Sequence, residues 1–183
     1  MNRKETMQIL AALRAAYPSS FKDLDTMDIE AMTQLWQTLF ADESYADVSA
    51  AVYALVSSRT VGYSPTIGEV KEKLHSLRTV NELSEQDAWA LVSKACQNGL
   101  YGYQKEFDKL PPEVQRAVGQ PEQLRSWAAM DTETVESVVA SNFMRSYRTQ
   151  AARKKEFDML PESVRSVVGQ LADGMKMIGE GTG

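Results

Sequence analysis

Apolar residues recur at steps of three and four along most of the chain, which indicates amphipathic helices. The first half predicts four of them: one over residues 3–17, ended by Pro18, one over residues 26–40, one starting at Ser44 and one capped by Thr66. No stretch alternates as a half-buried strand does. The positions expected to face inward are Met7, Leu10, Leu13, Tyr17, Met32, Leu35, Trp36, Leu39, Phe40, Val48, Ala51, Val52, Leu55, Val56, Val70, Leu74 and Leu77.

The second half predicts a further helical region after a polar segment. Residues 132–160 contain neither proline nor glycine, so they predict one long helix. The last residues are rich in glycine and predict a frayed end. The chain is therefore predicted to be all-α, with a small N-terminal helical bundle and a second helical region that contains the long helix. The predicted boundaries are 1–78 for the N-terminal domain, 79–86 for a linker, 87–172 for the C-terminal region and 173–183 for a flexible tail.

One segment of sixteen residues occurs twice. KEFDKLPPEVQRAVGQ, at residues 105–120, returns as KEFDMLPESVRSVVGQ at residues 155–170, with ten identical positions. Each copy predicts a helix that ends near its leucine, a proline that starts a short helix, and a glycine that ends it in a left-handed conformation. These positions are Leu110, Pro111 and Gly119 in the first copy and Leu160, Pro161 and Gly169 in the second. A structural corner and a recurring partner contact are both open interpretations.

Residues suited to catalysis are scarce. His75 is the only histidine and falls in the last turn of a predicted helix, while the only cysteine, Cys96, falls on an apolar helix face. The sequence has no HExxH or CxxC spacing for a metal and no phosphate-binding GxxxxGK[ST] motif. We therefore expect no enzymatic activity, no metal and no cofactor.

The net charge of −5 does not favour a nucleic-acid binder. The single cysteine excludes a disulfide framework within the chain and suits a reducing cytosol. The first residues lack the apolar region of a signal peptide, and no apolar run reaches membrane-spanning length. The sequence therefore predicts a cytoplasmic protein without a membrane partner.

A basic segment is the main charge feature. Residues 137–155 contain no acidic residue, and they carry Arg145, Arg148, Arg153, Lys154 and Lys155. Bases near the end of a helix complement the helix dipole, which is one interpretation. The other is a basic face for an acidic protein surface or for a nucleic-acid backbone. The overall acidity favours the protein partner.

Two stretches of the first half carry a family resemblance. LWQTLFADESYADVSAAVYALV at residues 35–56, followed by YSPTIGEVKEKLHSL at residues 63–77, resembles the N-terminal domain of the phage replicative helicase loader/inhibitor family of Gram-positive bacteria. The resemblance covers residues 1–77. It implies a non-enzymatic adaptor that binds and restrains a hexameric replicative helicase and delivers it to an origin through an initiator protein.

The family uses a flexible C-terminal region to contact the helicase, whereas this C-terminal half is predicted to fold. The second copy of the repeat lies near the chain end, where few residues remain to cover its apolar side chains. We therefore expect this copy and the adjacent bases to contact the helicase. The expected contact residues are Arg145, Arg148, Arg153, Lys154, Lys155, Phe157, Leu160, Val164 and Val168.

Two other functions remain open at this point. The basic segment would suit a helical DNA-binding or replication-organising module, with nucleic acid as a secondary contact of an adaptor as well. Acidic helical proteins of this size also serve as phage assembly chaperones. Binding to a helicase, salt-dependent binding to DNA, and replication or morphogenesis genes as neighbours would distinguish the three.

Overall fold

The computed structural model describes residues 1–79 and 82–180, with side chains as far as residue 171. The fold is all-α as predicted, and no strand occurs in these residues. Contacts divide the chain into two compact units. The first comprises Met1–Val80 with Phe157–Gly183, and the second comprises Asn81–Glu156.

The first unit begins with four helices whose starts are fixed by side-chain caps. Asn2, Asp25, Ser44 and Thr66 each accept a hydrogen bond from the backbone N–H three residues later. This chemistry is local, and it explains why the predicted starts at Ser44 and Thr66 are confirmed. The helices are α1 (Arg3–Ala16), a 3₁₀ turn (Pro18–Phe21), α2 (Thr26–Leu39), α3 (Tyr45–Ser58) and α4 (Ile67–Arg78).

The core of this bundle lies where α1 packs on α2 and α3, and α3 packs on α4. Trp36 stacks on Phe40 with ring centroids 5.1 Å apart, and Phe40 is fully buried. The predicted inward positions were wrong for Met7, Leu35 and Leu77, which are 50%, 53% and 43% exposed. In a small bundle only part of each helix faces a neighbour, so apolar residues at the edge of a stripe remain in solvent.

The second unit contains the remaining short helices and most of the long one. Its helices are α5 (Glu85–Gln97), α6 (Gly99–Asp108), α7 (Pro112–Val118), α8 (Pro121–Ala128), α9 (Thr132–Thr134), a π-helical turn (Val135–Val139) and α10 (Ala140–Asp158). The predicted long helix is thus confirmed over residues 132–158, with the π-helical turn inside it. Trp89, Phe143 and Tyr147 form an aromatic row, with successive centroids 5.6 and 6.0 Å apart.

The first copy of the repeat is part of this second core. Leu110, Val114 and Val118 are buried, and Phe107 is half-buried against the same cluster. Helix α7 ends at Gly119, so the predicted glycine stop is confirmed; its φ is positive, at +94°, but its ψ of −66° lies outside the left-handed helical region. Helix α6 packs on α8 so closely that a Cβ at Gly99 would lie 3.1 Å from the Leu124 carbonyl oxygen.

The second copy continues differently. Its short helix does not end at Gly169, which corrects the prediction, because α11 extends over Glu162–Glu180. In the first copy Pro121 follows and restricts the residue before it, whereas Leu171 follows at the equivalent position here. The helix therefore also includes most of the segment predicted as a tail, while residues 181–183 lie outside the described residues.

The predicted boundaries differ from the observed units in one respect. Residues 157–172 were assigned to the C-terminal region, but the structure groups them with the N-terminal bundle. The predicted linker is bounded by Thr79, which caps the end of α4, and Ser84, which caps the start of α5. Residues 80 and 81 of that linker lie outside the described residues.

Candidate partner-binding site

Helix α11 carries an exposed apolar stripe on one of its faces. Val164, Val167, Val168 and Leu171 follow one another at helical spacing and are 39%, 54%, 38% and 64% exposed. We call these four residues the α11 stripe. A monomeric protein rarely leaves a contiguous apolar helix face in water, so this stripe is the part of the described chain best suited to another helix or groove.

The corner that precedes α11, residues 157–162, is attached to the N-terminal bundle. The Lys71 ammonium donates a hydrogen bond to the Met159 carbonyl oxygen at 2.6 Å. The Glu162 backbone N–H donates to Asp42 Oδ2, also at 2.6 Å. Pro161 lies between Met159 and Glu162 in the sequence, and its side chain is buried. The stripe is therefore presented by a helix whose start is held by two side chains of the bundle.

Lys71 lies in a mixed environment that suits this contact. Its ammonium is 5.3 Å from the centroid of the Phe40 ring. Burial lowers the pKa of Lys71, and the nearby carboxylates of Glu43 and Asp42 act in the opposite direction. A partly buried ammonium needs an acceptor, and the Met159 carbonyl supplies one.

The structure places the predicted apolar site residues in the first unit. Val164 and Val168 belong to the α11 stripe, and Phe157 is 42% exposed at the end of α10. Leu160 is half-buried at the corner. Sequence reasoning missed Val167 and Leu171, although both continue the three- and four-residue spacing of the predicted stripe. It also missed Asp42 and Lys71, which no local pattern connects to the corner.

The five predicted bases lie in the second unit and do not form one face. Arg148 and Lys155 line a hollow that also contains Glu82 and Glu85. A second hollow contains Arg153 and Lys154 together with Glu113 and Arg116. Arg145 lines neither hollow and is exposed.

Arg148 is already occupied by a carboxylate. Its Nε and Nη2 donate to the two carboxylate oxygens of Glu85 at 2.6 and 2.7 Å. These hydrogen bonds hold the pKa of Glu85 below its ordinary value. Binding of an acidic partner by Arg148 would require this exposed ion pair to open, which costs little.

The two residues considered for catalysis, His75 and Cys96, lie at a helix end and in a hydrophobic core. His75 Nδ1 lies 3.3 Å from the Thr79 hydroxyl in the last turn of α4. Cys96 is buried in the second core. Within residues 1–79 and 82–171, no three histidine, cysteine or acidic side chains are grouped as metal ligands would be. No helix in the described part of the chain is long and apolar enough to cross a membrane.

The Cys96 thiol is expected to resist alkylation in the folded protein. Burial raises its pKa to about 11, with a smaller contribution from Glu136. A thiol with an ordinary pKa of about 8.5 is half ionised at about pH 8.5, whereas this one is ionised to less than about 1%. We expect iodoacetamide to react at least about 100-fold more slowly at that pH than after denaturation in urea. Mass spectrometry follows the single cysteine directly, and equal rates would show that the thiol is accessible.

Comparison with known proteins identifies the N-terminal helices. Residues 1–71 match the family model for the N-terminal domain of gp39, the helicase loader/inhibitor of phage SPP1. The match covers α1, α2, α3 and the beginning of α4, the part whose resemblance the sequence indicated. Neither a curated protein nor a solved structure matches the chain significantly. Residues 1–71 are therefore similar to the N-terminal domain of this phage helicase loader/inhibitor.

Proposed function

We propose that this chain is a non-enzymatic phage or prophage replication adaptor that binds, restrains and loads a hexameric replicative helicase in the cytoplasm of the bacterial host. The observation that carries the proposal is the family match of residues 1–71. The family is that of a helicase loader/inhibitor, so a replicative helicase is the partner that it implies.

The α11 stripe is the proposed helicase contact. An amphipathic helix that places apolar residues at i, i+3, i+4 and i+7 into a groove is a recurring mode of protein recognition. The α11 stripe has this spacing and is exposed throughout the described part of the helix. Phe157 and Leu160 extend the apolar surface toward the corner.

The bases of α10 are proposed to have a secondary, electrostatic role in attracting an acidic surface of the helicase. Arg145, Arg153 and Lys154 are exposed. Exposed charges at the rim of an interface mainly increase the association rate and its salt sensitivity, and contribute less to affinity. The same bases form no continuous face, and Arg148 is paired with Glu85. This arrangement favours an adaptor over a module that tracks a DNA backbone.

The test is capture of the cognate replicative helicase by the full chain. Purified chain and helicase are mixed with ATP and without nucleotide, and complexes are separated from free proteins by size-exclusion chromatography. We expect the chain to elute with the hexamer under at least one nucleotide condition, and to inhibit or stimulate unwinding when added to an assay. Absence of co-elution under both conditions would rule out the proposal.

A further inference from the structure

The two copies of the repeat form corners with the same backbone hydrogen bonds. In the first corner, Leu110 N–H donates to the Phe107 carbonyl at 3.0 Å and Val114 N–H donates to Pro111 at 2.9 Å. In the second, the equivalent bonds of Leu160 and Val164 measure 3.1 and 2.9 Å. The two corners therefore have one local shape, as the repeated sequence predicted.

In the first corner, two backbone carbonyl groups accept hydrogen bonds from a side chain of the same copy of the repeat. Gln115 Nε2 donates to the carbonyl oxygens of Phe107 and Leu110 at 3.0 and 2.9 Å. Pro112 starts the next helix without a backbone N–H that needs an acceptor. This corner thus needs no contact from outside the repeat to satisfy these groups.

The second corner differs at the positions that matter for these bonds. Gln115 is replaced by Arg165, whose Nη2 pairs with Glu162 at 3.0 Å. Pro112 is replaced by Glu162, which has a backbone N–H, and that N–H is the donor to Asp42. The first corner could not make this bond. The substitutions thus convert a self-contained corner into one that binds Asp42 and Lys71 of the bundle.

The attachment leaves the α11 stripe open. Among the α11 side chains that the structure describes, Arg165 lies mostly buried, at 30% exposure, whereas the neighbouring Val164 points about 100° away around the helix. The attached side of α11 and its stripe are therefore different faces. A helix held in this way can meet a partner without first being ordered.

We propose that Asp42 and Lys71 form a docking site for the second corner, and that this docking orders α11 for binding to the helicase. Both residues act as positioning residues, since neither belongs to the α11 stripe. The inference rests on the proposed function, because it assigns a role to the bundle in the same helicase contact. Docking raises the fraction of molecules in which α11 is competent to bind, and apparent affinity falls in proportion when that fraction falls.

Glu162→Pro in the full chain tests the docking. Proline at this position begins α7 in the first copy, so the variant keeps a suitable helix start while it removes the N–H donor to Asp42. Asp42→Ala removes the acceptor instead. Glu162→Gln is the matched control, since it removes the charge that pairs with Arg165 but keeps the N–H. Loss of a hydrogen bond to a charged acceptor changes an equilibrium by about tenfold.

Hydrogen exchange of the α11 amides is measured without helicase, and the helicase dissociation constant is measured separately. We expect Glu162→Pro and Asp42→Ala to accelerate exchange by about tenfold and to weaken helicase binding by a similar factor, with Glu162→Gln close to the original chain. Unchanged exchange in both variants would overturn the docking, and faster exchange with unchanged affinity would overturn its role in binding. If the original chain binds no helicase, the proposed function fails while exchange still reports on docking.

Discussion

Replacing Trp36 with alanine is expected to destabilise the N-terminal bundle by about 3–5 kcal/mol. The Trp36 side chain is only 5% exposed and stacks on the fully buried Phe40 ring. Alanine would remove the largest side chain of this core and leave a cavity that neighbouring helices cannot close without moving. This loss is a large fraction of the stability of a small domain, so part of the population would unfold at physiological temperature.

Urea denaturation of the full chain, followed by circular dichroism, measures the effect, and hydrogen exchange assigns it to the bundle. Leu35→Ala is the matched control, because Leu35 lies next to Trp36 on α2 and is about half exposed. We expect this control to cost less than about 1 kcal/mol, as surface substitutions usually do. Equal losses for the two variants would show that Trp36 does not hold the core together.

Two aspartates on the α11 stripe, introduced as Val164→Asp with Leu171→Asp, are expected to abolish capture of the helicase. Both side chains are exposed in the free chain, so the substitutions remove little folding energy. In a complex they would lie in an apolar groove, where a carboxylate without a partner is strongly unfavourable. Loss of two central anchors at about 2 kcal/mol each corresponds to about a thousand-fold weaker binding.

The control for this pair places the same two charges on other faces of α11. Ser166→Asp with Gln170→Asp changes the net charge equally, and both residues are exposed. We expect the control to bind the helicase within about threefold of the original chain, since charges outside a contact have small effects. If both double variants lose binding to the same extent, charge on α11 rather than its apolar stripe would explain the result.

The parts of the fold that depend on neighbouring residues could be predicted from the sequence. Helix starts at Ser44 and Thr66 follow from side chains that bond an N–H three residues away. The different fates of Gly119 and Gly169 were also within reach, because Pro121 follows only the first of them. Proline two residues on ends a helix that would otherwise continue through the glycine.

Features that depend on distant residues could not be predicted in this way. Asp42 and Glu162 are 120 positions apart, and nothing in either local sequence indicates that the Glu162 backbone N–H meets the Asp42 carboxylate. The exposure of a side chain is equally hard to predict from the sequence. Leu35 and Trp36 are adjacent apolar residues on α2, and only the position of the neighbouring helices decides which of them is buried. The apolar stripe of α11 was predicted in part, because its spacing is local even though its exposure is not.

The self-contained corner of the first copy has a consequence for protein engineering. Its sixteen residues supply the helix end, the proline that starts the next helix, the amide that bonds both free carbonyls, and the glycine that ends the unit. A segment that satisfies its own polar groups can be moved between helical scaffolds as a connector, provided that the host offers an apolar surface for Leu110, Val114 and Val118. The second copy lacks this portability, because transplanting it would also require an acidic and a basic side chain at matching positions of the new host.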